Sequence, residues 1–347
     1  MTEISLTRPD DMHLHLRDGD ELASAVRASA RQFGRAIVMP NLTPPVTTVD
    51  QAEAYYRRIR ECLGRDDEFE PLMTLYLTDN TAPGEIDKVA ASSLVYAVKY
   101  YPSGATTYSD GAVKSLENIY PVLERMAELE VPLLIHGEVV DVDVDIFDRE
   151  PVFIDTILIP LMQRFPALRM VLEHITTRQA VDLVKEGPEG LAATITAHHL
   201  LYNRNSMFSG GLRPHFYCNP VLKRERSRLA LVEAALSGHA RFFLGTDSAP
   251  HLVSRKETDC GCAGIYSAPV AIEAYAEVFD QAGQLDQLEQ FASFNGADFY
   301  RLPRNQGKIT LRKVDWEVPR RLPFAGGEIV PLLAGEVCRW KFVEDEL

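Results

Sequence analysis

Residues 11–17 read Asp-Met-His-Leu-His-Leu-Arg. Apolar residues alternate with imidazoles, which is the period of a short β-strand whose residues two apart point to the same side. His13 and His15 are therefore expected on one face of one strand. Imidazole is a common metal ligand, and two on one rigid element begin a metal site. Arg17, two residues further on, would set a fixed positive charge beside it, as an anionic substrate needs. Taken alone, the motif reads equally well as a pair of partly exposed histidines near the N-terminus.

Seven more strand-like segments follow, at 35–41, 71–77, 94–100, 132–136, 169–174, 191–198 and 240–246. Helix-period stretches accompany them at 21–33, 49–63, 85–92, 115–130, 153–165, 177–186, 225–237 and 268–282. In 115–130, Leu116, Ile119, Tyr120, Leu123, Met126 and Ala127 mark one helical face. Several strands are continuous apolar runs, as parallel strands buried on both sides require. Strand-then-helix order repeated eight times predicts an α/β chain folded as a (β/α)8 TIM barrel. An open doubly wound sheet fits the same alternation, but no GxGxxG follows an early strand. Residues 303–347 carry no clear βα unit and are expected to form a C-terminal extension packed on the barrel.

Length and composition agree with this. The chain has 347 residues, 46% hydrophobic and 25% charged, an ordinary globular balance with ample material for a large core. Length alone suggests two domains, but α/β barrels run long as one, so a single domain over 1–347 is expected. The net charge of −14 contains no Lys/Arg-rich block, which argues against nucleic acid and anionic membrane as partners. No apolar run approaches the ~20 residues of a membrane helix. The start, MTEISLTRPDD, lacks the pattern of a signal peptide, so a soluble cytoplasmic protein is expected. Cys62, Cys218, Cys260, Cys262 and Cys338 are odd in number and irregular in spacing, unlike a secreted disulfide framework. Cys260-Gly261-Cys262 reads as two thiols in a loop rather than half of a zinc site, because no second pair accompanies it.

In a barrel the active site lies at the C-terminal ends of the strands. The strand ends supply His13 and His15, Asn41, Lys99, His136, His174 and Asp247. A single histidine there is ordinarily a capped polar residue, and a single lysine ordinarily reaches solvent. Four histidines, a lysine and an aspartate converging on one rim point to a metal.

These residues sit in longer motifs: DDMHLHLRD at 10–18, VMPNL at 38–42, VKYYPSGATTYSDGAV at 98–113, LLIHGE at 133–138, LEHITT at 172–177, GLRPHFYCNPVLK at 211–223, GTDSAPH at 245–251 and CGCAG at 260–264. Together they resemble the amidohydrolase superfamily and, within it, the dihydroorotase family in its single-function bacterial form, over nearly the whole chain. The His-x-His alone is shared superfamily-wide; its combination with GATTYSDGAV, RPHFYCNP and TDSAPH is specific to that family.

The resemblance implies two Zn2+ per subunit. One would be held by His13, His15 and Asp247, the other by His136 and His174, with Lys99 bridging both as N6-carboxylysine. A lysine neutralised by apolar surroundings can capture carbon dioxide, and the carbamate is an anionic oxygen ligand. The implied reaction is reversible hydrolysis of (S)-dihydroorotate to N-carbamoyl-L-aspartate in pyrimidine biosynthesis. A metal-bridging hydroxide would be the nucleophile and Asp247 the general base, then acid. Arg17, Asn41 and His251 resemble the contacts to the substrate carboxylate, Asn219 and Ala263 the backbone contacts to the ring, and His136 a substrate contact as well as a ligand. The middle position of Cys218-Asn219-Pro220 departs from the apolar residue the family pattern suggests. Thr106 and Thr107 lie among turn-forming residues that suit a mobile loop, and the resemblance implies closure over substrate. A homodimer is also implied. Arg17 could instead pair with Asp18 or Asp20, and His251 could be a plain loop residue. His198 and His199, placed at the end of the seventh strand, and His215 are read as supporting rather than ligating residues.

Two other readings remain at this point. A hydantoinase- or allantoinase-type hydrolase would share the metal set with little need for Arg17, Asn41 and His251. A non-catalytic binding paralogue would lack a ligand or Asp247, and none is missing.

Overall fold

The chain opens with β1 (Glu3–Thr7) and then runs eight strands in sequence: β2 (Asp10–Leu14), β3 (Arg35–Val38), β4 (Glu70–Tyr76), β5 (Val95–Tyr100), β6 (Leu133–His136), β7 (Met170–Glu173), β8 (Leu191–Ile195) and β9 (Phe242–Leu244). Strands β2 to β9 pair in parallel, each with its sequence neighbour. In this computed structural model, residues 2–64, 67–104 and 112–344 are described. The helices are α1 (Leu22–Ala30), α2 (Val49–Glu61), α3 (Pro83–Ala91), α4 (Leu116–Glu128), α5 (Arg149–Phe153), α6 (Ile159–Arg164), α7 (Arg178–Glu186), α8 (Ala197–Leu201), α9 (Glu225–Leu236), α10 (Val253–Lys256), α11 (Ala271–Gln281) and α12 (Asn295–Phe299). The architecture is the (β/α)8 barrel that the alternation predicts.

Helix starts follow local chemistry. Thr48 caps α2 by accepting from Gln51 N, and Thr177 caps α7 by accepting from Ala180 N. Helix α2 then turns Val49, Ala52, Tyr55 and Ile59 toward the sheet.

The barrel interior is filled, not hollow. Met12, Ile37, Leu72, Ala97, Leu134, Val171, Ala192 and Phe243, one from each strand, form a buried plug with Tyr300. Intervening residues such as Val98, Ile135, Leu172 and Leu244 pack outward against the helices. Truncating Leu134 to Ala would cost about 2–5 kcal/mol. The strand period of two then dictates what lies above the plug. Two residues beyond Ala97 is Lys99, beyond Leu134 is His136, beyond Val171 is Glu173, and beyond Ala192 is Thr194, all buried.

The seam between β2 and β9 is closed by the segment after β9. Leu14 bridges to Ser248, His15 N donates to Ser248 O at 3.2 Å, and Asp247 N donates to His13 O at 2.9 Å.

The terminal region is more ordered than the sequence reading allowed. β10 (Lys308–Glu317) pairs antiparallel with β1 on one side and β13 (Val337–Val343) on the other. Between them, β11 (Leu322–Phe324) and β12 (Gly327–Ile329) form a hairpin whose turn residues Ala325 and Gly326 both have positive φ, the conformation that such two-residue turns favour. The seventh barrel strand is shorter than 191–198: it stops at Ile195, because Thr196 caps α8 by accepting from His199 N. His198 and His199 therefore lie on a helix, not at a strand end.

Candidate metal centre

At the C-terminal mouth, β2 and the turn after β9 bring His13, His15 and Asp247 together. The Nε2 atoms of His13 and His15 are 3.2 Å apart, and Asp247 Oδ1 lies 3.4 Å from the first and 3.1 Å from the second. None of the three is a partly exposed surface residue; all are buried. Gly245 permits this approach, since a Cβ there would lie 2.7 Å from the Thr194 side chain and 3.1 Å from His13 Cβ.

His174 follows β7 with φ of 42°, and Asp247 follows β9 with φ of 45°. This left-handed conformation is costly for residues with a Cβ, about 1 kcal/mol or more each. It lets His174 turn inward although its strand neighbour Glu173 already does. The His174 ring centroid lies 5.0 Å from that of His13 and 4.9 Å from that of His136. The backbone N–H of His174 donates to Thr194 Oγ1 at 2.7 Å.

The donor chemistry fits a divalent metal. His13, His15 and Asp247 offer three ligand atoms within 4.8 Å of one another, and so do His13, Glu173 and His174. His174 Nδ1 is buried with no hydrogen-bond partner among the described residues. His15 Nδ1 lies 2.8 Å from Asn41 Oδ1, an acceptor, so the ring proton belongs on Nδ1 and Nε2 keeps its lone pair toward Asp247. Nitrogen and carboxylate donors at this spacing suit zinc and similar ions.

The other two expected ligands are placed here but partnered differently. Lys99, fully buried, contacts the carboxylate of Glu173. Burial lowers the Lys99 pKa, against the opposing pull of Glu173. His136 Nε2 lies 3.0 Å from Glu138 Oε2. As an unmodified lysine, Lys99 brings a cation into the cluster, and the nearest anion answers it. Glu173 Oε1 also lies 3.0 Å from His13 Nδ1. Asp247 is pushed up by burial, but His13 and the neighbouring imidazoles outweigh this and hold it well below the ordinary carboxylate range.

Arg17 stands beside the cluster in the left-handed region, with φ of 62°. Its Nη2 donates to His251 Nε2 at 2.9 Å, its Nε donates to Pro250 O, and its own carbonyl accepts from the Tyr55 hydroxyl at 2.5 Å. Asp18, one of the two alternative partners for Arg17, pairs with Arg58. Burial and the Arg17 charge push His251 down to about 2, so its ring is neutral and accepts from Arg17. A cleft is lined by His13, His15, Arg17, Asn41, His136, His174, Asn219, Asp247 and Ala263, among others. Thr106 and Thr107 lie outside the described residues.

Sequence reasoning missed Glu173, Tyr101 and Asp11. Glu173 shares inward parity with Val171, a signal that was available. Tyr101 lines the cleft and stacks on Tyr76. Asp11, beneath His13, accepts from the backbone of His13 and Thr246. His198 is fully buried on α8, and His215 pairs with Glu257, 3.0 Å away.

A family model described as Amidohydrolase family matches residues 10–314, most of the chain. Dihydroorotase of Laribacter hongkongensis is 61% identical over 342 residues, covering 98% of this chain and 99% of the relative. Dihydroorotase of Methylobacillus flagellatus is 62% identical over 340 residues, with the same shares. Among solved structures, dihydroorotase from Campylobacter jejuni superposes with a TM-score of 0.90 at 37% identity, covering 99% of this chain and 98% of that one. Dihydroorotase from Saccharomyces cerevisiae, in complex with 5-fluoroorotic acid, gives 0.89 at 32% over all of both chains. L-Hydantoinase from Arthrobacter aurescens, at 16% identity and a TM-score of 0.82, covers 98% of this chain and 83% of its own and shares the fold alone. The chain belongs to the amidohydrolase family and, within it, to the dihydroorotases. It is a metal-dependent hydrolase acting on a small molecule. Among the described residues no helix is long and apolar enough to cross a membrane.

Proposed function

We propose that this chain reversibly hydrolyses (S)-dihydroorotate to N-carbamoyl-L-aspartate in pyrimidine biosynthesis. The observation that carries the reading is Arg17, paired with neutral His251 and set beside Asn41 at the edge of the donor cluster. A cyclic amide bearing a carboxylate needs such an anchor; hydantoin does not. Arg17 offers the carboxylate a planar fork. His251 and Asn41 complete the carboxylate pocket, and the backbone at Asn219 and Ala263 meets the ring. Thr106 and Thr107 are read as hydroxyl contacts to the bound substrate. Steady-state turnover of dihydroorotate beside hydantoin and allantoin tests this. Faster turnover of either rival would sink it.

The residues that would hold two zinc ions are His13, His15 and Asp247 for one, His136 and His174 for the other, and N-carboxylated Lys99 between them. When bound, the ions would supply Lewis acidity toward the amide carbonyl and would lower the pKa of water in the cleft. Asp247 would accept the proton of the attacking water and return it to the leaving ring nitrogen. In the synthetic direction Asp247 removes the proton from the attacking nitrogen. Burial disfavours the ammonium of Lys99, so its free amine can add to carbon dioxide and lose one proton. Glu173 then retains His13 Nδ1 as a partner. Native mass spectrometry should show the mass of one added carbon dioxide, and metal analysis two zinc ions per chain. A cytoplasmic homodimer completes the reading, with sedimentation as its measure.

A further inference from the structure

Lys256 ends the short helix α10 and is only 4% exposed. A buried lysine ordinarily has a carboxylate partner, because an unpaired charge is costly to desolvate. Lys256 has three backbone carbonyls instead. Its Nζ donates to Tyr217 O at 2.9 Å, to Cys262 O at 3.1 Å and to Gly264 O. An ammonium has three hydrogens, so each finds one acceptor.

The acceptors come from two segments that line the cleft. Tyr217 stands two residues before Asn219, and Cys262 and Gly264 flank Ala263 on either side. Tyr217 O also accepts from Gly264 N at 3.0 Å, so the two segments and the ammonium meet at one oxygen. The glycines of CGCAG are explained by this meeting rather than by the thiols beside them. A Cβ on Gly261 would collide with the Lys256 carbonyl. Gly264, at φ of 145°, would carry a Cβ 2.9 Å from both Ala249 O and His251 Cδ2. His251, which holds Arg17, makes its own backbone hydrogen bond to Ala263. The carboxylate anchor and the ring contacts thus share one scaffold.

We propose that Lys256 is a positioning residue for the substrate ring: its ammonium gathers the Tyr217, Cys262 and Gly264 carbonyls and so presents the backbone at Asn219 and Ala263 to the cleft. This rests on the reading of Asn219 and Ala263 as ring contacts. The groups facing Lys256 are the Cys218 and Cys262 thiols and the His198 and His251 rings. None is a carboxylate, and burial brings Lys256 down to about 8. Burial pushes the Cys218 thiol up to about 12. Above about pH 8 the amine keeps two hydrogens for three acceptors, so ring binding should weaken.

The test uses the metal-loaded enzyme, with 5-fluoroorotic acid as a non-reacting ring probe. Lys256→Met should raise KM and weaken probe binding tenfold or more. It should leave kcat within about threefold and the metal content unchanged. Amide exchange should quicken at 217–219 and 262–264 and not elsewhere in the barrel. In the parent enzyme, probe binding should weaken as pH rises through 8, and Cys262→Ser should keep that dependence, which excludes the thiol as its source. Unchanged KM and exchange in Lys256→Met would overturn the proposal, and so would a parallel fall of kcat, metal content and melting temperature. If Lys256→Met does not fold, the pH dependence with its Cys262→Ser control decides: its presence supports the proposal and its absence overturns it. Failure of the parent enzyme to turn over dihydroorotate would instead sink the functional reading, leaving the exchange result to judge the scaffold.

Discussion

Asp11 and Thr246 lock the barrel seam directly beneath the metal cluster. Asp11 Oδ1 accepts from Thr246 N at 2.8 Å and from His13 N at 3.1 Å, and Asp11 Oδ2 accepts from Thr246 Oγ1 at 2.5 Å. One buried carboxylate thereby sets the heights of His13 on β2 and Asp247 after β9. Asp11→Ala strands these donors in the interior and should cost about 2–4 kcal/mol. Asp11→Asn keeps an acceptor and should cost less than half as much. Urea midpoints of the two variants measure the difference.

Arg17→Lys keeps the charge but loses the fork. Charge-assisted hydrogen bonds are worth about 1.5–3 kcal/mol each, so KM for dihydroorotate should rise about tenfold to a hundredfold. Metal content should stay as in the parent, because Arg17 holds no metal. A rise in KM for an uncharged cyclic amide of the same size would show that the effect is not carboxylate recognition.

Glu173 contacts both Lys99 and His13 Nδ1. Supporting carboxylates of this kind typically contribute 10- to 100-fold to metal affinity. Glu173→Gln should therefore weaken zinc retention about tenfold or more, read by competition with a chromogenic chelator. Retention equal to the parent would confine Glu173 to packing.

His198 is fully buried, and neither ring nitrogen has a hydrogen-bond partner among the described residues. Burial lowers it from the ordinary 6.5 to about 4. The unfolded chain takes up a proton below pH 6.5 that the folded chain refuses until about 4. The stability present above 6.5 is thus lost as pH falls through that window, by about 3 kcal/mol at most. His198→Leu should flatten the pH dependence of the denaturant midpoint between 6.5 and 4 in metal-free protein.

Cys260 is exposed, whereas Cys218 and Cys338 are buried and pushed up to about 12 by that burial. Iodoacetamide at pH 8 should label Cys260 first, and Cys218 and Cys338 only with denaturant. Peptide mapping over time reads the order.

Much of this architecture was legible because it rests on side-chain periodicity. Lys99 and His136 ended apolar runs, and the strand period carried them inward. Glu173 was overshadowed by His174, since a strand with two adjacent inward residues violates that period. The violation needs a left-handed residue, which nothing in Leu-Glu-His-Ile announces. His198 and His199 were placed on a strand because Thr196 reads as a β-branched strand residue as readily as a cap. The strand β1 alternates weakly and gains its partners from the far end of the chain. Lys256 could not be found from side chains at all, because its acceptors are carbonyls that every residue carries.

The cluster of His13, His15 and Asp247 draws on the first and the last strands of the barrel. During synthesis, then, the histidines emerge early and wait for almost the whole barrel before their carboxylate partner exists. A nascent or truncated chain lacking the segment after β9 has an open seam and an incomplete His13, His15 and Asp247 set. Completion of that three-ligand set is consequently a late event, and it coincides with closure of the ring.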